Sequence, residues 1–279
     1  MNPVLSIIIP CYNSEATLEA TLESVVAQNF QKWEAIIVND GSTDTTEAIA
    51  LSWVKKDDRF KYFTKSNEGL GKTRNFGIEK AQGTYILPLD SDNLLMADFA
   101  KEAITVFEAN NNIGVVYGHA AYFGEKQGLW EVEPYDFKKI LAANYIDACA
   151  IYKKQLWVEV GGYDENMPYQ GHEDWDFWIA LGVLNVQFHH LNKITFRYYV
   201  SKKSMIRSFT EAMQQANNDY IFKKYSEQCQ KHYLDLFLLY KKTETHHAAQ
   251  LKSEKFVIDL FCKTFFGFSI FGLYKTKKK

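Results

Sequence analysis

Two aspartates one residue apart, Asp90 and Asp92 in YILPLDSDN, follow directly on an apolar run of strand character, Tyr85 to Leu89. A pair of hard carboxylate oxygens at a strand end suits Mg²⁺ or Mn²⁺, which takes one or two protein carboxylates and completes its shell with water and substrate phosphate. Such an ion offsets the charge that builds on a departing diphosphate. A second acidic pair, Glu173 and Asp174, stands at the mouth of a helix in GGYDENMPYQGHEDWDFWIAL. A helix N-terminus favours a charged carboxylate, so Asp174 is expected to be ionised near neutral pH, and an ionised acid can serve as a base. Asp40 ends another strand-like run, where a carboxylate accepts hydrogen bonds from a ribose or a base N–H. Arg74, on a helix entered through GLG, carries a planar donor fork that can reach the same side. Each also has a plainer reading taken alone: a solvated Asp/Asn turn for the doublet, helix capping for Asp40 and for Glu173 and Asp174, a solvated helix face for Arg74.

These groups need a frame that delivers them to one place. Val4 to Ile9 is a continuous, largely β-branched run, and after PCYNS the residues Leu18, Leu22, Val25 and Val26 fall at helical spacing. Trp33 to Val38 is again strand-like and ends in NDGSTD, a cluster of turn and capping residues before a helix carrying Ile49 and Trp53. Phe60 to Thr64 supplies a third strand, a glycine-rich turn opens the helix that Gly83 closes, and Leu95, Phe99, Ala103 and Val106 mark a helix after the aspartates. This alternation predicts an α/β fold, a Rossmann-like, mainly parallel sheet flanked by helices over about the first 120 residues. Ligands bind such sheets at the carboxyl ends of the strands, so the turns at 10–13, 39–44 and 90–93 are expected on one rim. Farther on, Val115 to Phe123, Ala148 to Tyr152 and Gln187 to Tyr199 read as strands, Glu173 to Val183 as a helix, and the chain beyond about 208 as helical.

Composition narrows the field. The chain has 279 residues, 47% of them hydrophobic, enough for a sizeable core. Its 20 Phe and 17 Tyr suggest a thick core and surfaces that stack on sugar or base rings. A formal net charge of −2 gives no basic field for duplex binding, and no nucleic-acid partner is expected. Cys11, Cys149, Cys229 and Cys262 form no C-x-x-C pair, which argues against a zinc cage or a disulfide framework and suits a reducing cytosol. The start, MNPVLSIIIPCYN, has no basic n-region and its apolar run is soon broken by Pro10, so neither a signal peptide nor a membrane span is expected there. A dehydrogenase would need G-x-G-x-x-G where PCYNSE stands.

SIIIPCYNSEATLEATLESVVAQNFQKWEAIIVNDGSTD, then GKTRNFGIEKAQGTYILPLDSDN, then GGYDE and GHEDWDFW, resemble the family 2 inverting glycosyltransferases of GT-A fold, in four blocks in the right order over roughly residues 4–200. The resemblance implies a GT-A domain at 1–207, with a nucleotide-sugar-binding half at 1–120 and an acceptor-facing half at 121–207, followed by a helical C-terminal extension at 208–279. It implies that Pro10, Tyr12 and Asp40 lie against the nucleoside, Asp40 on the base, with Arg74 on the same side. It puts Asp90 and Ser91 by the ribose and phosphates, and Asp92, with Asp90, on a Mn²⁺ or Mg²⁺ ion. Asp174 is then the catalytic base and Glu173 assists acceptor placement. The expected partners are a nucleotide-sugar, a UDP-sugar foremost, and a glycan or lipid-linked acceptor, in the building of surface polysaccharide, lipopolysaccharide or other glycans. A scaffold of the same fold that binds sugar-nucleotide or glycan without turnover is the alternative.

One departure stands out. Relatives carry an Arg-x-His-like segment after the last core strand, whereas FRYYVSKKSM has Arg197 and then Tyr199, and a phenol is a poorer ligand for a divalent ion than an imidazole. His172, His189 and His190 are the candidate substitutes. The chain closes with FVIDLFCKTFFGFSIFGLYKTKKK, which Asp259 and Lys263 make too polar for a span. An interfacial helix over 256–279, on the inner face of the cytoplasmic membrane, competes there with packing on the domain or in a homodimer.

Overall fold

The computed structural model describes residues 2–201, 209–266 and 270–271. Strand β1 (Leu5–Cys11) is buried along its whole length and lies between β2 (Trp33–Asp40) and β4 (Tyr85–Pro88), parallel to both; β3 (Phe60–Lys65) adds in parallel outside β2. Burial on both faces explains why β1, β2 and β4 read as continuous apolar runs. Parallel neighbours require crossovers, supplied by α1 (Leu18–Val26), α2 (Thr46–Lys56) and α3 (Leu70–Lys80).

Beyond β4 the sheet turns mixed. Short β8 (Ile151–Lys153) runs antiparallel to β4 and to β6 (Ile113–Gly124), while the long β9 (Gln187–Val200) lies parallel to β6 and carries β5 (Leu94–Leu95) on its far edge. With β7 (Gly128–Trp130) hooked onto β6, the sheet has nine strands in the order β3-β2-β1-β4-β8-β6-β9-β5. The expected mainly parallel sheet thus describes its first four strands, and the reversed β8 makes the remainder mixed.

On one face Leu5, Ile7 and Ile9 of β1 meet Leu18, Leu22 and Val25 of α1 in a core that continues to Phe99 and Phe107 of α4 (Phe99–Ala109). On the other, α3 sits flush on the sheet: a Cβ at Gly77 would come within 2.6 Å of Ile8 Cγ2 and 3.1 Å of Val38 Cγ2. Arg74, one turn before Gly77 on the same helical face, is thereby pressed against the sheet. Three further helices, α5 (Phe137–Ala142), α6 (Lys154–Val160) and α7 (Glu173–Val183), cover the second half.

The chain forms two compact units that meet between Lys224 and Tyr225. Helix α8 (Glu211–Lys224) belongs to the first: Asn217 bonds both Tyr169 N (2.9 Å) and Tyr169 O (2.8 Å), and Lys224 pairs with Asp164 (2.6 Å) and Asp176 (2.8 Å). The first unit therefore runs past the expected boundary at 207, because a helix polar in composition is tied down by hydrogen bonds and ion pairs rather than by an apolar stripe. The second unit comprises α9 (Ser226–Leu251) and α10 (Glu254–Phe266). Among the described residues no helix is long and apolar enough to cross a membrane.

Candidate functional site

The parallel register sets the carboxyl ends of β2, β1 and β4 side by side, with Cys11 opposite Asn39 and Ile8 opposite Pro88. The turns that follow are stitched together. Asn13, in the left-handed region at φ 50°, accepts from Thr43 N (2.9 Å), and its own N–H donates to Ser42 Oγ (2.9 Å). Glu15 accepts from Thr45 N (3.1 Å), Asp44 accepts from Glu15 N (3.1 Å), and the hydroxyls of Ser14 and Ser91 share a 2.7 Å bond that links the first turn to the aspartate turn. Pro10 is buried within β1, while Tyr12 stands 55% exposed at the rim.

Asp40, 4% exposed, accepts from Glu68 N (3.0 Å), Gly69 N (2.9 Å) and Lys65 Nζ (3.1 Å). Its carboxylate thus fixes the turn that opens α3 rather than capping α2, where Asp44 accepts from Thr46 N (3.0 Å). Arg74, 2% exposed, donates from Nη2 to Asp90 (2.6 Å) and from Nη1 to Glu173 (2.5 Å), a residue 99 positions later in the chain. Glu173 spends its second oxygen on Gly171 N (2.8 Å) and is itself 3% exposed. Burial opposes a charge on Arg74, yet Asp90 and then Glu173 hold the guanidinium firmly protonated. Among the described residues its buried Nε–H finds no acceptor.

Asp92 is pushed up to about 7, by burial first and then by the charge of Asp90. Asp147 is likewise raised to about 7 by burial and by Asp90, although it accepts from Cys149 N (2.8 Å). Asp174 accepts from Trp175 N (2.7 Å) and Asn144 Nδ2 (3.1 Å). Burial, then the charges of Glu173 and Asp147, push its carboxyl well above the ordinary range, against the lowering expected from its place at the helix mouth. The helix terminus and Arg74 do not outweigh desolvation there. On β9 the Tyr198 ring packs edge-on against Tyr122 (6.0 Å) and Trp130 (5.5 Å), and its phenol is raised by burial and then by the charges of Asp147, Asp90, Asp92 and Asp174.

Sequence reasoning missed Asp147, Asn144 and Tyr198. Because β8 is antiparallel to β4, it begins at the rim where β4 ends; the register that pairs Ile86 with Tyr152, carried along, brings Asp147 level with Ser91, one residue from Asp90. An Asp just ahead of an apolar run was the available signal, but its meaning depends on strand direction. Of the histidines named as substitute ligands, His172 directly precedes Glu173 at the mouth of α7. His172 Nδ1 is hydrogen-bonded with Asn217 Nδ2 (3.0 Å), and His190 packs against His119 at 4.7 Å between ring centroids, beside its sequence neighbour His189. Tyr199 packs against Phe123 (5.1 Å), and its N–H donates to Asn93 (3.0 Å). The rest of that segment, 202–208, lies outside the described residues.

Among the described residues no three His, Cys, Asp or Glu side chains are grouped so as to hold a metal unaided. The acids still fit a divalent ion: Asp92, raised first by burial and then by the charge of Asp90, stands two residues from a second carboxylate, and a cation would offset the charge they share. Magnesium-type sites, moreover, rely on one or two carboxylates plus substrate phosphate.

A model described as Glycosyl transferase family 2 matches residues 6–162. An uncharacterized glycosyltransferase of Rickettsia typhi is 32% identical over 202 residues, 68% of this chain and 62% of that protein. One from Haemophilus influenzae is 39% identical over 121 residues, 43% of this chain and 48% of its own length. The chain thus spans less than two thirds of these relatives. Among solved structures, S. aureus TarS in complex with UDP-GlcNAc superposes with a TM-score of 0.63 at 22% identity, covering 76% of this chain and 64% of that one. A mannosyltransferase from Pyrobaculum calidifontis, in complex with GDP-Man and Mn²⁺, gives 0.58 at 16% identity, covering 92% and 83%. Sheet, flanking helices and rim define a GT-A fold. The chain belongs to glycosyl transferase family 2.

Proposed function

We propose that this protein transfers a sugar from a nucleotide-sugar, a UDP-sugar foremost, to a hydroxyl of a glycan or lipid-linked acceptor, inverting the anomeric carbon. The setting in this reading is surface polysaccharide or lipopolysaccharide synthesis on the cytoplasmic side of the membrane. The observation that carries it is the Arg74 bridge, which draws the aspartate turn at Asp90 and the helix mouth at Glu173 onto one guanidinium. Donor and acceptor chemistry are thereby held beside each other although far apart in sequence.

In this reading Pro10, Tyr12 and Asp40 receive the nucleoside, and Asp90 and Ser91 the ribose and phosphates. Asp92, with Asp90, would hold Mn²⁺ or Mg²⁺, which when bound neutralises charge on the departing diphosphate. Asp174 takes the proton of the acceptor hydroxyl; that oxygen bonds to the anomeric carbon as the bond to the diphosphate breaks on the opposite face. An acid with a raised pKa is a stronger base once deprotonated, which suits removal of a hydroxyl proton near neutral pH. Glu173, buried and fully hydrogen-bonded, acts through Arg74 rather than on the acceptor directly. Solved relatives of this fold carry UDP-GlcNAc in one instance and GDP-Man with Mn²⁺ in another, which supports a nucleotide-sugar donor of either base. The test is a screen of nucleotide-sugars with Mn²⁺ or Mg²⁺ for release of the nucleoside diphosphate and transfer to acceptor glycans. Transfer lost in Asp174→Asn with nucleotide binding retained supports the assignment; near-full turnover in that variant defeats it.

A further inference from the structure

Asp174 is held from two sides. Its Oδ1 accepts from Trp175 N (2.7 Å) and its Oδ2 from Asn144 Nδ2 (3.1 Å), so each carboxylate oxygen carries one donor and the plane of the group is set. An ionised carboxylate offers about four lone-pair directions, which leaves room on each oxygen for an incoming proton. Among the described residues Asn144 is the one side chain that donates to it. The amide cannot be turned round, because Asn144 Oδ1 accepts from Ile146 N (3.2 Å) and only Nδ2 is left to face the acid. A turn closed through Oδ1 would satisfy the backbone alone; Nδ2 is the part such a turn does not use. Fixed in this way, Asn144 donates to Asp174 and cannot accept from it, and a donor favours the charged form of a carboxylate.

The segment that bears Asn144 is fastened to the helix that bears Asp174. Trp175 and Trp178 of α7, three positions apart and so on one helical face, donate from Nε1 to Ile140 O (2.5 Å) and Ile146 O (3.1 Å). Both tryptophans are buried, and their two bonds fall on either side of Asn144. Tyr145 adds a tie within the segment, its hydroxyl accepting from Asp136 N (2.7 Å) at the start of α5. The other charged and titratable groups around Asp174 are Glu173 on its own helix, Asp147 ahead of β8, Arg74 from α3, and the phenols of Tyr163 and Tyr198.

We infer, on the reading of Asp174 as the base, that Asn144 is a positioning residue for transfer: clamped to α7 at Ile140 and Ile146, its amide orients the Asp174 carboxylate and supports the ionised form that takes the acceptor proton. The acceptor itself is bound elsewhere on the rim, so Asn144 acts through Asp174 and leaves donor binding alone.

The experiment compares wild type, Asn144→Ala and Asn144→Asp across pH in two ways. One is steady-state kinetics of transfer. The other is carboxyl-carbon NMR of the aspartate-labelled full chain, in which the resonance missing from Asp174→Asn is that of Asp174, and which needs neither donor nor turnover. For Asn144→Ala, the Asp174 titration and the acid limb of kcat/KM should both move up by about one pH unit, the effect of one hydrogen bond lost to a charged group. Below the limb kcat/KM then falls about tenfold, with donor KM unchanged. Asn144→Asp keeps the acceptor for Ile146 N and exchanges the donor for a carboxylate, so it should fold and move both readings farther in the same direction. An unmoved titration and limb in these variants, or a uniform loss at every pH that follows the thermal midpoint, would overturn the inference. Lost turnover in Asp174→Asn beside an unmoved Asn144 profile strikes the role of Asn144 alone, whereas near-full turnover in Asp174→Asn removes the base assignment and the inference with it.

Discussion

In the proposed mechanism Asp174 has to lose its proton before it can take one from an acceptor, and its surroundings make that loss harder: burial first, then the charges of Glu173 and Asp147. The sign follows directly. A base whose pKa is raised is protonated, and idle, up to a higher pH, so the acid limb of kcat/KM for transfer should lie above the ordinary carboxylate range. Asp174→Asn should lower kcat by about 10²- to 10⁴-fold, the usual contribution of a general base, and leave nucleotide affinity unchanged. A pH–rate series on wild type, with stopped-point assays of the variant, checks both. Arg74 is the other decisive residue. Replacing it with Ala strands Asp90 and Glu173 without their cation, and a broken buried bridge of this kind costs about 3–5 kcal/mol in a denaturant titration. Arg74→Lys should recover only part of that, because an ammonium cannot reproduce the two-pronged contact made by Nη1 and Nη2.

At the scale of elements, the position of α3 decides where Arg74 stands, and Gly77 decides the position of α3. Gly77→Ala puts a methyl where only 2.6 Å separates it from Ile8 Cγ2, so it should destabilise by about 1–3 kcal/mol and weaken donor binding together, as thermal melts with and without UDP would show. Glu34 ties strands to one another: 3% exposed, it accepts from Ser6 Oγ (2.6 Å), Lys61 Nζ (2.5 Å) and Gln82 N (2.6 Å). Burial alone would raise its pKa, but Lys61, Ser6 and the Gln82 N–H together bring it below the ordinary value. Its stabilisation is therefore complete above about pH 4.5, the unfolded value, and is lost as pH falls through the lower folded one. Glu34→Gln should flatten the acid side of the stability–pH curve.

The parallel strands and their turns were legible because buried strands read as unbroken apolar runs and polar residues cluster where they end; Asp40, Asp90 and Asp92 were found that way. Asp147 was not, because the direction of a three-residue strand is a matter of pairing. The bond from Arg74 to Glu173 was not, because no local spacing signals a partner 99 residues away. The raised pKa of Asp174 ran against the helix-terminus argument, since desolvation depends on what packs over a residue.

For the whole molecule, the boundary at Lys224 has consequences. Lys224 meets Asp164 and the 3%-exposed side chain of Asp176, and α8 holds the loop at Tyr169 through Asn217. A chain ending after Lys224 should fold and keep nucleotide binding, whereas one ending at 207 should be less stable, because it loses the Lys224 ion pairs and the Asn217 hydrogen bonds to Tyr169. Comparing denaturant midpoints of the two truncations checks this. The proposed transfer depends on a cation joining the Asp92 carboxylate to a diphosphate on the rim that also carries Asp174. Calorimetric titration of UDP, with and without Mn²⁺, into wild type, Asp92→Asn and Asp174→Asn tests that most directly. The predicted result is Mn²⁺-dependent binding that Asp92→Asn abolishes and Asp174→Asn keeps; undiminished Mn²⁺-dependent binding in Asp92→Asn would contradict it.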